Sequence, residues 1–220
     1  WGNPSSIYGF GKQLTKLLEA AREKVAALIN AEPREIIFTS GGTESNNSAI
    51  HSALATQPQK RHVVTTAVEH SANLNFCAHL KKMGFEVTLL PVAADGGLDI
   101  GLLEKSIRAD TAIVSVMCAN NETGVLFPVE EIAAICRSKD VLFHTDAVQI
   151  PGKLAIDVKH LGADFLSLSA HKLHGPKGVG LLYVKRGVKY QSYVMGGGQE
   201  QGRRGGTENV AGIAGFGRAA

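Results

Sequence analysis

The segment Ser169-Ala170-His171-Lys172 closes an apolar run and puts a lysine where a solvated charge has no evident task. A lysine amine in a partly desolvated pocket has a lowered pKa and becomes a nucleophile toward an aldehyde. Ser169 and His171 flank it and can bond a phosphate. His171 and His174 also read as metal ligands, but no carboxylate or cysteine nearby completes a set, so no metal site is expected. Lys177 reads as a loop charge. Asp146 ends another run, Leu142-Phe143-His144-Thr145-Asp146, where a carboxylate can keep a ring nitrogen protonated and Gln149 can donate to a phenolate oxygen. The same pair also reads as a helix N-cap with an incidental glutamine. In Ser40-Gly41-Gly42-Thr43 the glycines let backbone approach an anion, and Thr43 opens a helix whose free N–H groups point at it. The alternative is an N-cap behind a flexible turn. It is not a Walker loop, which would need a Lys-Ser/Thr pair.

These residues need a scaffold that gathers them. Leu14, Leu17, Leu18, Ala21, Val25, Leu28 and Ile29 recur at helical steps and predict an amphipathic helix over 11–30. Beyond it, short apolar runs at 36–39, 62–66, 86–91, 111–117, 142–146, 165–170 and 180–185 alternate with helical stretches at 43–58, 71–83, 99–107 and 128–138. Most of the runs are continuously apolar, as in strands covered on both faces. The alternation predicts an α/β fold, a doubly wound, mainly parallel sheet of about seven strands with helices on both faces. From Leu142 onward the runs are joined by loops with little helix, so mixed strand directions are expected there. In such a sheet ligands collect beyond the carboxyl ends of the strands. That edge is where Thr39 to Thr43, Glu69-His70, Asn120-Asn121-Glu122, Asp146 and Ser169 to Lys172 all fall.

Composition narrows the function classes. A formal charge of +3, with the basic residues dispersed, gives no footing for nucleic acid. No apolar run approaches membrane-spanning length. Cys77, Cys118 and Cys136 lie far apart without CxxC spacing, which suits a reducing cytoplasm. The chain opens at Trp1-Gly2-Asn3-Pro4 and closes at Gly217-Arg218-Ala219-Ala220 within a helical pattern, so it reads as one domain, 1–220, incomplete at both ends.

Taken in order, the motifs resemble those of the cysteine desulfurases of the nitrogen-fixation type, which are class V, fold-type-I pyridoxal phosphate (PLP) enzymes. The resemblance rests on Gly2-Asn3-Pro4-Ser5-Ser6, Phe38-Thr39-Ser40-Gly41-Gly42-Thr43-Glu44-Ser45-Asn46-Asn47, Val68-Glu69-His70, Ala119-Asn120-Asn121-Glu122-Thr123-Gly124, His144-Thr145-Asp146-Ala147-Val148-Gln149, Ser169-Ala170-His171-Lys172 and Gly202-Arg203-Arg204-Gly205-Gly206-Thr207-Glu208-Asn209. Each alone is weak; together, in order, they are specific. The resemblance implies a PLP-binding large domain, with the family's small C-terminal domain beyond it. Lys172 would carry PLP as a Schiff base and move a proton at the substrate's α-carbon. Asp146 would pair with the pyridine nitrogen, and His70 would stack on the ring and act in proton transfer. Gln149 would bond the phenolic oxygen, with Asn121 near it and near the substrate carboxylate. Gly42, Thr43, Ser169 and His171 would hold the phosphate, and Thr207 would reach the phosphate of the neighbouring subunit of a homodimer.

The reaction so implied converts L-cysteine to L-alanine and leaves a persulfide on an enzyme cysteine outside this chain, for an acceptor or scaffold protein of iron–sulfur assembly. Cys77 and Cys136 fall in predicted helices as small buried hydrophobes, and Cys118 is not a position the family uses. Gly205 stands where relatives often carry Ser or Ala. Selenocysteine lyases and class V aminotransferases share the lysine and aspartate and remain alternative readings. So do a non-catalytic PLP-holding or dimerisation module and an α/β domain with no cofactor.

Overall fold

A computed structural model describes residues 3–4 and 8–220. Gly2, Ser5 and Ser6 of the amino-terminal motif lie outside the described residues. The first helix, α1 (Gly9–Leu28), stops short of its predicted end. Asn30 takes a left-handed φ of 55° there, and Ala31 N–H closes back on Ala26 O at 2.9 Å. Asparagine tolerates that conformation, and the apolar periodicity running to Ile29 hides the stop.

Strands and helices then alternate: β1 (Ile36–Thr39), α2 (Gly42–Ala55), β2 (His62–Thr66), α3 (Ser71–Lys82), β3 (Glu86–Leu90), α4 (Ile100–Ser106), β4 (Thr111–Ser115), α5 (Val129–Ser138) and β5 (Leu142–Asp146). The rest comprises α6 (Val158–Leu161), β6 (Phe165–Ser169), a 3-10 turn (Ala170–Leu173), β7 (Gly180–Val184), a kinked turn α7 (Gln199–Gly202) and α8 (Val210–Ala219). α2 ends before the predicted 58 because Pro58 disfavours helical backbone at the residue before it. The four-residue α6 had no periodic signal long enough to detect; Asp157 caps it by accepting from Lys159 and His160 N–H.

One sheet of seven strands runs in the order β1-β7-β6-β5-β4-β2-β3. Every pairing is parallel except the two made by β7. The mixed directions expected after Leu142 therefore reduce to this one reversed strand. β3 lies at an edge, and its burial is mixed, unlike the fully buried β2 beside it and β4 beyond that.

Alternate strand residues feed two cores. Ile37, Val63, Ile113, Phe165 and Leu182 pack under α2 and α3. Phe38, Val64, Val114, Phe143, Leu166 and Leu181 pack under α1, α5, α6 and α8. α8 lies so close on α1 that a Cβ on Gly217 would come within 2.6 Å of the Ala21 backbone.

The outer side of β1 is met by side chains. Ile36 O accepts from Arg22 Nη1 at 3.0 Å and from Arg203 Nη2 at 3.1 Å, and Phe38 N–H donates to Glu200 Oε2 at 2.9 Å. Arg22 and Glu200 form a buried two-pronged ion pair, both contacts 2.8 Å, with Glu200 held at a left-handed φ of 48°. Removing one partner of such a pair strands the other charge in the interior. Arg22→Leu is expected to lower unfolding free energy by about 3–5 kcal/mol, and the double change Arg22→Leu with Glu200→Leu to recover part of that loss. Urea denaturation of the three proteins checks it: equal losses in single and double variants would show that the pair carries no such burden.

Candidate active site

The parallel strands deliver their polar termini to one edge. The connections leaving β2 (to β3) and β4 (to β5) run in opposite directions across the sheet, which leaves a crevice between the exits of β2 and β4. A cavity of about 200 Å³ opens there. It is lined by Gly42, Thr43, His70, Asn121, Asp146, Gln149, Ser169, His171 and Lys172, residues from five separate loops. Thr207 is not among them; it lines a second cavity of about 240 Å³ with Ser40, Gly178 and Arg204.

Asp146 forms the floor and is 9% exposed. Its Oδ2 accepts from Asn46 Nδ2 at 2.7 Å and its Oδ1 from Val148 N–H at 3.0 Å. Burial raises its pKa; the two hydrogen bonds and the charges of His70 and Lys172 offset this in part. Val148 N–H comes from the turn that follows β5 itself, whereas Asn46 reaches across from α2.

The lip of the cavity is the start of α2. Its first N–H groups have no partner inside the helix. Gly41 precedes them at φ 152°, a conformation reserved in practice for glycine. The crowding also excludes side chains: a Cβ on Gly180 of β7 would sit 2.7 Å from Gly41 Cα. Ser40 N–H donates to Glu44 Oε2 at 2.8 Å, and Arg204 grips both Glu44 oxygens at 2.9 and 3.0 Å. Burial pushes the Glu44 pKa up, but the Arg204 and Ser40 bonds outweigh it and leave the carboxyl below its ordinary value. Opposite, Ser169 Oγ and His171 Nδ1 are 2.8 Å apart. Partial burial and the nearby Lys172 and Lys177 lower the His171 pKa.

His70 caps α3, its Nδ1 accepting from Ala72 N–H at 3.1 Å. An accepting Nδ1 puts the neutral ring's proton on Nε2. Asn120 rather than Asn121 shapes the loop after β4: it donates to Val68 O at 3.1 Å and accepts from the N–H groups of Glu122 and Thr123, both at 3.0 Å. Asn121 itself is exposed and bonds Glu122. Gln149 accepts from Lys153 Nζ at 3.2 Å. Lys172, on the 3-10 turn after β6, lines the cavity but is exposed, so the desolvation expected of it is not present in this chain. Asn46, Met117, Ala119 and Val148 also line the cavity without having been assigned there. The available signal was the polar run Glu44-Ser45-Asn46-Asn47-Ser48, whose Ser45, Asn46 and Ser48 are buried.

A buried carboxylate with lone pairs facing a cavity is complemented by a protonated heterocyclic nitrogen, and a glycine lip at a helix N-terminus by a phosphate. With a lysine at the rim, the residues present fit PLP. Fold and site together define the class of PLP-dependent transferase-type folds. The chain belongs to the class-V aminotransferase family, whose model ("Aminotransferase class-V") matches residues 1–220. It is 52% identical over its whole length to a cysteine desulfurase of Nostoc sp., covering 55% of that protein. It is 51% identical to cysteine desulfurase IscS of Dictyoglomus turgidum, covering 56%. Among solved structures, a NifS-like protein superposes with a TM-score of 0.95 at 44% identity, over 99% of this chain and 60% of the other. SspA in complex with cysteine gives 0.95 at 40%, over 99% and 63%. The chain thus spans a little over half the length of these curated relatives.

Directly behind the floor, His144 is fully buried between Ser115 Oγ at 2.7 Å and Ser167 Oγ at 2.9 Å, and burial drives its pKa down to about 3. From that value up to the ordinary 6.5 the unfolded chain holds a proton that the native ring does not. Stability therefore rises with pH across that window and falls on acidification. Between pH 6.5 and about 4, His144→Gln is expected to lose roughly 3 kcal/mol less than the unmodified protein. Denaturant midpoints at the two pH values measure this, and parallel losses would remove His144 as the cause.

Proposed function

We propose that the protein is a PLP-dependent cysteine desulfurase, converting L-cysteine to L-alanine and passing the sulfur, as a persulfide, toward iron–sulfur and other sulfur-transfer acceptors. The observation that carries the cofactor reading is the buried Asp146 carboxylate facing a cavity rimmed by Lys172. The choice of reaction is supported by relatives near half identity named cysteine desulfurase and by a structural neighbour solved with cysteine.

When bound, PLP supplies an electron sink for the pair released at the substrate's α-carbon. Asp146 holds the proton on the ring nitrogen and keeps that sink cationic. Lys172 Nζ anchors the cofactor and afterwards moves the proton at the substrate's α-carbon. His70 covers the ring and offers its Nε2 proton, Gln149 and Asn121 orient the phenolic-oxygen side, and Gly42, Thr43, Ser169 and His171 bind the phosphate. Thr207, outside its own chain's cavity, contributes to the site of a partner copy in a homodimer.

The sulfur acceptor is a thiolate from beyond this chain. Burial raises Cys77 and Cys136 to about 12 and Cys118 to about 11, which leaves all three as unreactive thiols near neutrality. No helix among the described residues is long and apolar enough to cross a membrane, and we place the enzyme in the cytoplasm.

Incubation with PLP, borohydride reduction and peptide mapping are expected to find a phosphopyridoxyl group on Lys172 and none in Lys172→Ala. Alanine release from L-cysteine by the full-length protein is expected to fall by at least about a thousandfold in the same variant. Label spread over surface lysines equally in both proteins would sink the cofactor reading. Specific label without alanine release would sink the desulfurase reading alone.

A further inference from the structure

Glu69 precedes His70, is 5% exposed, and does not line the cavity. Its Oε1 accepts from Thr66 Oγ1 and from Met117 N–H, both at 2.9 Å, and its Oε2 accepts from Asn73 Nδ2 at 3.1 Å. These donors belong to three elements: the end of β2, the segment leaving β4, and α3. β2 and β4 are the strands whose exits diverge around the crevice. After Ser115 the chain stays bonded to β5, Val116 N–H donating to His144 O at 3.1 Å and Cys118 N–H to Asp146 O at 2.8 Å, while on the β2 side the Glu69 side chain supplies the acceptor for Met117 N–H. Met117 and Ala119 line one wall of the cavity and His70 another.

We propose that Glu69 is a positioning residue whose carboxylate bridges the exits of β2 and β4, fixing the distance between the His70 ring and the Met117–Ala119 wall that the cofactor ring enters. The inference rests on the PLP reading of the cavity. A bridge of this kind acts by direction as well as by charge. Oε1 alone joins donors on β2 and on the segment leaving β4, and Oε2 adds a donor on α3, so shortening the side chain frees both walls at once. The connection continues inward, because Asn73 Nδ2 also lies 3.0 Å from Ser115 Oγ and 3.3 Å from Thr65 Oγ1, and Ser115 reaches His144. Glutamine preserves the bridge. Its carbonyl takes the place of Oε1, and its amide is accommodated by turning the Asn73 amide, whose oxygen then accepts from it, while the neighbouring hydroxyls reorient.

The test uses the full-length protein with Glu69→Ala and Glu69→Gln, at a temperature where both are folded by far-UV circular dichroism. For Glu69→Ala the apparent Kd for PLP is expected to rise about tenfold or more, with a weaker visible circular-dichroism band from the bound cofactor. Glu69→Gln is expected to stay within about twofold of the unmodified protein. Amide exchange at Ala72, whose N–H is held by His70, and at Met117 is expected to accelerate in Glu69→Ala while Ile37 and Leu182 in the sheet keep their protection. Thr66→Val, which removes one donor, supplies a milder version of the same pattern if Glu69→Ala does not fold.

The proposal is overturned if the alanine variant binds PLP with unchanged affinity and band. It is also overturned if glutamine is as damaging as alanine, which would assign the effect to charge, or if protection falls uniformly through the sheet. Should the unmodified protein give no specific PLP band, the cofactor reading fails. The exchange pattern at Ala72 and Met117 then decides the bridging role on its own.

Discussion

The carboxylate of Asp146 lies where water has almost no access, at the end of the strand near the middle of the sheet. An ion in such a place is unfavourable unless dipoles and a counter-charge surround it. Much of the pocket follows from that condition. α2 must cross the sheet at a height that brings Asn46 within 2.7 Å, and the turn after β5 must present Val148 N–H. The positive end of α2 then faces the same cavity, with Gly41 and Gly180 in near backbone contact beneath it. What is left over is one acceptor face pointing into open space, and a cationic ring nitrogen is the complement to that face. The same demand explains the buried Asn46 at the start of α2, while its neighbour Ser45 is turned instead to Thr39 and Leu181 O.

Strand geometry carries the polar character one layer deeper. Residues two apart on a strand share a face, so Ser115, His144 and Ser167 lie directly behind Met117, Asp146 and Ser169. The deeper row is joined end to end by hydrogen bonds, and Asn73 links it to Glu69. Packed polar rows of this kind tolerate little displacement, because every donor shifted from its acceptor becomes an unsatisfied buried group. The functional edge is thus supported by a layer that specifies position by direction, where an apolar layer would specify it only by volume.

Much of this was legible from residue order. Val- and Ile-rich runs separated by helical periodicity give a parallel sheet, and the parallel sheet sends its strand ends to one edge. That is why Ser40 to Thr43, His70, Asp146 and Lys172 could be grouped before any coordinates. The less legible features each have a physical reason. Asn46 looks like any helix polar residue until the helix is docked. β4 was expected to reach 117 because Val116 and Met117 are apolar; the strand ends at Ser115, and beyond it Val116 and Cys118 N–H still donate to β5 carbonyls while Met117 N–H, on the β2 side, goes to a carboxylate distant in sequence. Asn120 and Asn121 are indistinguishable by type, and only the loop conformation makes the first a brace of the loop and sets the second, bonded to Glu122, at the cavity. The exposure of Lys172 is a property of its surroundings, which lie largely outside its own segment.

The sheet's end at β1 has a bearing on how the molecule can associate. An edge strand normally offers an unpaired ladder that another strand can extend, whether in functional augmentation or in fibrillar misassembly. Here Ile36 O and Phe38 N–H are already taken by Arg22, Arg203 and Glu200, two of them joined in a buried ion pair. A foreign strand approaching that side would have to expel a desolvated charge pair before making its first hydrogen bond. Side-chain capping therefore acts as a guard at this border, steering contact between copies toward helix and loop surfaces and away from continuation of the sheet.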